Sequence, residues 1–181
     1  MTLPPTPWSL ADGRDLFFFA LPGRTPAPVA DRRPLPARDP VPSQLRWDQT
    51  TGQWVIIAAQ RQDRTYLPPA DACPLCPGAD GLSSEVPAAD YDVVVFENRF
   101  PSLAGAGKVL APDGDGFLSA PGYGRCEVIC FSPDHTGSFA GLDPAHARLV
   151  VAAWQHRTAD LIARPGIEQV FCFENRGEAI G

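Results

Sequence analysis

The sequence predicts an α+β fold, in which an antiparallel sheet is packed on one face by a single helix. Short apolar, β-branched runs recur between turns that contain glycine or proline, and only one segment has the spacing of an amphipathic helix. At 181 residues the chain is long enough for one domain with its own core and an appended arm.

The arm comprises residues 1–43, and it carries ten of the 21 prolines. Because proline fixes φ and lacks an N–H group, we expect most of this segment to be extended or polyproline-like. Its apolar cluster, Leu16–Phe19, should pack on the chain's own domain rather than on a partner chain. The domain itself is predicted to span residues 44–181.

Four apolar segments predict strands within this domain. RWDQTTGQWVIIAAQR predicts two strands joined by a Thr-Gly turn, and three later strands are predicted at Asp92–Glu97, around Val128–Phe131 and at Gln169–Glu174. The segments between them are rich in proline and glycine and are predicted to be loops.

The helix is predicted in GLDPAHARLVVAAWQHRTADLIARPG. Asp143 caps its first turn, Pro144 fits the first helical position, and Pro165 ends it. Its apolar face is predicted from positions at helical spacing, which are Leu149, Val150, Trp154, Thr158 and Leu161.

Composition excludes several classes of protein. A net charge of -6 and a pI near 4.9 argue against a nucleic-acid partner. No apolar run approaches the ~20 residues of a membrane span, so no membrane association is expected. The start, MTLPPTPWSLADGRD, lacks the features of a signal peptide, and five cysteines make an odd number. We therefore expect a cytoplasmic protein with reduced thiols.

CPLC is the strongest local signal for chemistry. Cys73 and Cys76 are spaced so that both thiolates reach one metal from a tight turn, although a redox pair or two plain thiols remain alternatives. His135 follows a predicted strand and is a candidate third ligand. His146 and His156 lie ten residues apart on the predicted helix and do not form a pair. Three further cysteines are predicted to fill the core: Cys126, Cys130 and Cys172.

Polar turns follow three of the predicted strands. FENRF and FENRG each present an Asn and an Arg after a predicted strand. An Asn at this position can bind a ribose, base or phosphate, or simply complete its own turn, and taken alone the turn is the favoured interpretation. Arg61 and Arg64, in RQDR, have a spacing that suits a diphosphate, but a solvated surface turn is the default interpretation.

Five segments in this order resemble the galactose-1-phosphate uridylyltransferases: TTGQWVIIAAQRQDR, CPLCPG, VVFENRFPSL, EVICFSPDHTGSF and QVFCFENRGEAIG. The resemblance spans residues 46–181. It implies that the complete enzyme folds as two related halves of the histidine-triad type, that this chain is the first half, and that the complete enzyme is a homodimer. It also implies UMP exchange between UDP-glucose and galactose 1-phosphate, through a covalent uridylyl-histidine.

The resemblance also implies roles for single residues. Zinc would be bound by Cys73, Cys76 and His135. The nucleotide sugar would be contacted by Arg61, Arg64, Asn98, Arg99 and Asn175, with Leu82 lining the uridine pocket. Some members of the family carry Asp where this chain has Arg99.

This sequence departs from the family's pattern in one respect. In the family, an HPHGQ segment follows the position of Gly181, and its histidines are the fourth zinc ligand and the nucleophile. No residue of this chain matches them, so we expect the N-terminal part of such an enzyme, inactive by itself. The alternatives are a related sugar-nucleotide phosphorylase or adenylyltransferase, or a non-catalytic, zinc-bearing, nucleotide-binding module.

Overall fold

The structure, a computed structural model, describes residues 4–36, 43–58, 68–105 and 118–174. Within these ranges the chain forms seven strands, one α-helix and two single-turn 3-10 helices. The main elements are β1 (Thr6–Ser9), β2 (Asp15–Phe19), β3 (Gln44–Asp48), β4 (Gln53–Ile57), β5 (Val93–Glu97), β6 (Ser119–Pro121), β7 (Glu127–Cys130) and α1 (Pro144–Ile162).

The strands form two antiparallel sheets, and α1 packs on the larger one, so the predicted α+β fold is confirmed. The four-stranded sheet has the order β1-β2-β5-β7. The Leu16–Phe19 cluster lies in β2, an inner strand of this sheet, where Leu16 pairs with Phe96. The expectation that this cluster packs within its own chain is therefore confirmed.

The three-stranded sheet has the order β4-β3-β6 and contains the predicted hairpin. Trp47 of β3 pairs with Trp54 of β4, and their rings meet edge to face, 5.5 Å apart. Asp48 closes the turn, because its carboxylate accepts hydrogen bonds from the Thr50 amide and the Thr51 hydroxyl. The predicted strand–turn–strand unit is present.

Both faces of the four-stranded sheet are covered. On one face, the alternate side chains Leu16, Phe18 and Phe96 pack with Val86 and Tyr91, which lie in the loop before β5. The opposite face packs against α1 through another set of residues: Phe19, Val93, Val95, Leu149, Val150 and Ala153. The loop that follows CPLC therefore covers one face of the sheet and contributes to the core.

The helix begins as predicted, with the Asp143 carboxylate accepting hydrogen bonds from the backbone amides of Ala145 and His146. The buried face of the helix differs in part from the predicted one, because Thr158 is exposed and Arg157 is buried instead. A salt bridge to Glu127 compensates the guanidinium charge inside the protein. No helix in the described ranges is both long and apolar enough to cross a bilayer.

The strand predicted at Gln169–Glu174 does not form. Phe171 and Phe173 are 75% and 72% exposed, and the segment has no strand assignment. Alternating apolar residues favour a strand only where a neighbouring strand edge supplies hydrogen bonds. None of the described strands pairs with this segment.

Candidate functional site

The structure brings together the three residues that the sequence indicated as metal ligands. The ligand atoms of Cys73, Cys76 and His135 all lie within 4.8 Å of one another. The Cys76 Sγ and the His135 Nδ1 are 3.2 Å apart, although the two residues are 59 positions apart in the chain. The cysteines are half-buried and the histidine is exposed, so the cluster lies at the protein surface.

The CPLC turn is held by the segment that follows it. The backbone amide of Glu85 donates to the carbonyl of Pro74 at 2.8 Å, and the Ser84 hydroxyl contacts the carbonyls of Pro74 and Cys76. Ser84 is 2% exposed and Glu85 is 6% exposed. These buried contacts fix the backbone between the two thiols, which limits the entropy lost when a metal binds.

His135 lies in a tight turn shortly after β7. The Asp134 carboxylate accepts from both the backbone amide and the hydroxyl of Thr136, and these contacts lower the pKa of Asp134. On the β7 side of the turn, the Tyr91 hydroxyl donates to the Ser132 carbonyl at 2.7 Å. Burial is the main reason why the pKa of Tyr91 is raised, so this hydroxyl remains a donor.

The cluster fits a zinc ion. Bond lengths of about 2.3 Å to sulfur and about 2.0–2.1 Å to nitrogen put tetrahedral ligands roughly 3.5–3.8 Å apart. All three ligand atoms lie within 4.8 Å of one another, and the Cys76–His135 pair is 3.2 Å apart, so small shifts would bring them to this geometry. Burial and the neighbouring Cys73 thiol raise the pKa of Cys76 to about 11. Metal binding must therefore displace a proton from this thiol. Three ligands leave one tetrahedral position for another group.

The two helical histidines are engaged elsewhere. The Nε2 of His146 lies 2.9 Å from the Asp92 carbonyl, and the ring of His156 meets Phe19 edge to face at 5.5 Å. Neither residue belongs to the cluster of possible metal ligands. The expectation that they do not form a pair agrees with these separate contacts.

The three remaining cysteines differ from one another. Cys130 packs against the core, and burial raises the pKa of its thiol, as expected for a core residue. Cys126 is only half-buried, with its sulfur 3.5 Å from the Ser102 hydroxyl. Cys172 is exposed. Its prediction as a core residue is wrong, because the strand that would have buried it does not form.

Asn98 and Arg99 lie directly after β5, in the FENRF turn. The backbone N–H of Asn98 donates to the Cys126 carbonyl at 2.9 Å. The side-chain Oδ1 of Asn98 accepts from the backbone N–H of Phe100 at 2.8 Å. The Asn98 side chain therefore does complete its own turn, which presents the Nδ2 group as the donor suited to a phosphate or ribose oxygen. Arg99 is exposed, with its guanidinium 5.5 Å from the Phe100 ring centre.

The other candidate binding residues are Leu82, Arg61, Arg64 and Asn175. Leu82 lies in the loop after CPLC and is 53% exposed, which leaves its side chain accessible to a ligand. Arg61, Arg64 and Asn175 lie outside the described residues.

Sequence reasoning missed the buried charges that support the cluster. Arg14 and Glu85 are 1% and 6% exposed and form a salt bridge. Arg14 lies in the proline-rich arm, and neither residue belongs to a recognisable motif. A charged residue directly beside an apolar run, as in DGRDLFFF, was the one available signal.

Comparison with known proteins matches residues 35–181 to "Galactose-1-phosphate uridyl transferase, N-terminal domain". A galactose-1-phosphate uridylyltransferase from Streptomyces lividans is 49% identical over 172 residues, which are 95% of this chain and 43% of that protein. One from Thermotoga maritima is 34% identical over 139 residues, which are 76% of this chain and 42% of that protein. A solved structure of a uridylyltransferase aligns with 65% of this chain and 36% of its own, at 21% identity and a TM-score of 0.43.

Proposed function

Because this chain belongs to the galactose-1-phosphate uridyl transferase family, we propose that it is the N-terminal domain of an enzyme that exchanges UMP between UDP-glucose and galactose 1-phosphate. The chain spans less than half the length of the curated relatives it matches, so this activity belongs to a longer protein. The observation that carries the proposal is the Cys73–Cys76–His135 cluster, which joins two of the resembling segments in space.

In this proposal the cluster is a zinc site with a structural role. The thiolates of Cys73 and Cys76 and the imidazole of His135 would hold the metal. Zinc bound there would link the CPLC turn to the loop after β7 and neutralise the thiolate charge. The loop after CPLC packs on one face of the sheet and is joined to the loop after β7 by the Tyr91–Ser132 hydrogen bond, so the ion would strengthen this connection beside the proposed nucleotide-sugar site.

The nucleotide sugar would be bound by polar groups at strand ends. Arg61 and Arg64 would neutralise the diphosphate, and Asn98 would donate its Nδ2 protons to a phosphate or ribose oxygen. Asn175 would lie beside the reacting phosphate. Two further residues are assigned to the same ligand. Arg99 would contact it from the turn after β5, and Leu82 would line the uridine pocket.

The nucleophile in this proposal lies outside the chain. A double displacement needs a neutral imidazole that attacks the α-phosphorus and expels glucose 1-phosphate. His135 is assigned to the metal, and both other histidines are engaged on α1. A histidine in the rest of the enzyme would form the uridylyl intermediate, which galactose 1-phosphate then attacks.

We extend the proposal to the organisation of the protein. Residues 44–181 are assigned to the transferase domain, incomplete at its C-terminal end, and residues 1–43 to a proline-rich arm that adds β1 and β2 to its sheet. The complete enzyme is proposed to be a cytoplasmic homodimer. An odd number of cysteines, all free here, supports a reducing compartment.

A domain replacement tests the activity. In the Streptomyces lividans relative, the matched N-terminal 43% is replaced by this chain, and the hybrid is assayed with UDP-glucose and galactose 1-phosphate. The expected result is UDP-galactose with ping-pong kinetics. The unaltered relative is the control. A folded, zinc-containing hybrid that forms no UDP-galactose would overturn the proposal.

A further inference from the structure

Arg14 is the most buried large polar side chain among the described residues, and its guanidinium joins three segments. It lies at the end of the turn between β1 and β2. Its Nε donates to Asp12 at 2.7 Å, one terminal nitrogen donates to Glu85 at 2.5 Å, and the other donates to the Glu97 carbonyl at 2.8 Å. Arg14 and Glu97 are 83 positions apart in the chain.

The contact with Glu85 leads to the candidate metal site. The carboxylate of Glu85 binds Arg14, and the backbone amide of the same residue donates to the carbonyl of Pro74. Pro74 lies between the two cysteines of CPLC. The position of the guanidinium therefore constrains the backbone that carries both thiols.

The contact with Glu97 leads to the turn after β5. Arg14 binds the carbonyl of the peptide group between Glu97 and Asn98. The N–H of the same peptide group, the backbone amide of Asn98, donates to the Cys126 carbonyl at 2.9 Å. The peptide plane between Glu97 and Asn98 is thus held from both sides. Its orientation sets the start of the Asx turn that presents the Asn98 side chain.

We propose that Arg14 is a positioning residue that fixes the CPLC turn and the Asn98 turn relative to each other. The inference rests on the proposed function for the roles of the two turns. Only a guanidinium has the planar fork that reaches a side-chain carboxylate and a backbone carbonyl at the same time while binding a further carboxylate. A lysine keeps the charge but has one nitrogen, so it cannot hold all three acceptors in this geometry.

The fold should tolerate Arg14→Lys. Glu85 keeps a second partner, because Arg33 binds it at 2.9 Å and also binds Asp31 at 2.7 Å. The lysine retains the positive charge beside Asp12. The variant therefore loosens the link between the two turns without leaving a buried carboxylate unpaired.

The test uses three variants of the 181-residue chain. Arg14→Lys removes the three-way contact, and Glu85→Gln weakens only the branch toward CPLC. Arg24→Lys is the control for the chemical change alone, because Arg24 also binds two carboxylates, Asp90 and Asp92, but is half exposed and touches neither turn. Zinc affinity is measured by competition with a chelator and UDP-glucose affinity by calorimetry, well below the melting temperature.

The expected results separate the branches. Arg14→Lys should weaken zinc and UDP-glucose binding by about tenfold each, the lower end of the range for residues that orient ligands. Glu85→Gln should weaken zinc binding by a similar factor and change UDP-glucose binding much less, and Arg24→Lys should change neither. Hydrogen exchange should accelerate at the backbone amides of both Glu85 and Asn98 in Arg14→Lys, and at the Glu85 amide only in Glu85→Gln.

Three outcomes would overturn the inference. Wild-type affinities in Arg14→Lys, with or without a lower melting temperature, would limit Arg14 to a role in stability. Equal losses in Arg14→Lys and Arg24→Lys would show a general effect of replacing an arginine that binds two carboxylates, with no special role for the position of Arg14. A wild-type chain that binds neither zinc nor UDP-glucose would remove the proposed function itself, and the inference with it.

Discussion

Cys73, Cys76 and His135 come from two loops that are distant in sequence, and a strand and a hydrogen-bonded turn bring them together. Ser84 and Glu85 hold the carbonyls of the CPLC turn, and Asp134 shapes the turn that carries His135. Because these supporting contacts do not involve the ligand atoms, they would preorganise the cluster for the proposed metal.

Zinc binding by this cluster is the first prediction. The chain expressed with ample zinc should retain about one equivalent, and Cys76→Ser should lose most of it, because an alcohol is a far weaker zinc ligand than a thiolate. Metal analysis after dialysis gives the stoichiometry. Affinity should fall as the pH is lowered, since protons compete for the thiolates and the imidazole.

Cys172→Ser is the matched control for this measurement. It makes the same chemical change at an exposed thiol outside the cluster and should leave the zinc content unchanged. Equal zinc content in wild type and Cys76→Ser would rule out the cluster as the metal site.

The sequence was informative about residues with local patterns and silent about the others. The spacing of CPLC identifies two thiols in one turn, and the position of Asn98 after an apolar run identifies a strand end. The buried salt bridge between Arg14 and Glu85 follows no pattern, because it joins an arm and a loop 71 positions apart. Only the folded structure shows that these charges are buried and paired.

At the level of elements, α1 packs against the inner strand β5. Helix residues Leu149, Val150 and Ala153 lie against Val93 and Val95 of the strand. The helix positions the sheet from one side while the loop after CPLC covers the other. Loss of helix packing should therefore lower the stability of the whole unit.

Two adjacent valines of α1 test this packing. Val150 is fully buried and Val151 is 41% exposed, so the same substitution can be made inside and outside the core. Val150→Ala should lower the free energy of unfolding by about 2 kcal/mol, from lost burial and the cavity that remains. Val151→Ala should change it by less than about 0.5 kcal/mol.

Urea denaturation followed by circular dichroism measures both variants. The difference between them is the informative quantity, because the helix propensity of the introduced alanine is common to both. Equal effects at the two positions would mean that α1 does not pack on the sheet through Val150.

Elements were predictable where the local signal and the tertiary environment agreed. The β3–β4 hairpin and the helix start at Asp143 depend on turn and cap chemistry, which is local. Strand β2 is recognisable in the sequence only as an apolar cluster, because its role as an inner strand depends on pairing with β5. The segment Gln169–Glu174 shows the reverse case, an apolar run without a described partner strand.

For the whole molecule, the two candidate subsites lie on one continuous unit. The loop after CPLC covers the sheet that contains β5, and the FENRF turn follows directly from that strand. With a net charge of -6, the proposed phosphate binding would depend on local donors such as the Asn98 side chain rather than on the overall field.

Because the nucleophile is assigned to another part of the enzyme, we predict that UDP-glucose does not uridylylate this chain. Incubation with UDP-glucose labelled at the α-phosphate should leave no label on the protein, because the nucleophilic histidine is assigned to a different part of the enzyme. Acid-free electrophoresis and autoradiography measure this, with the Streptomyces lividans relative as the positive control. A stable label on this chain would show that one of its own side chains is the nucleophile.

Calorimetric titration of the zinc-loaded chain with UDP-glucose tests the central claim most directly. We predict one weak site, with a Kd on the order of 0.1–1 mM, and weaker binding of ADP-glucose. Arg64→Ala should weaken UDP-glucose binding further, whereas Arg24→Ala should not. No heat of binding at millimolar UDP-glucose, or the same affinity in wild type and Arg64→Ala, would contradict the assignment of this domain to the nucleotide sugar.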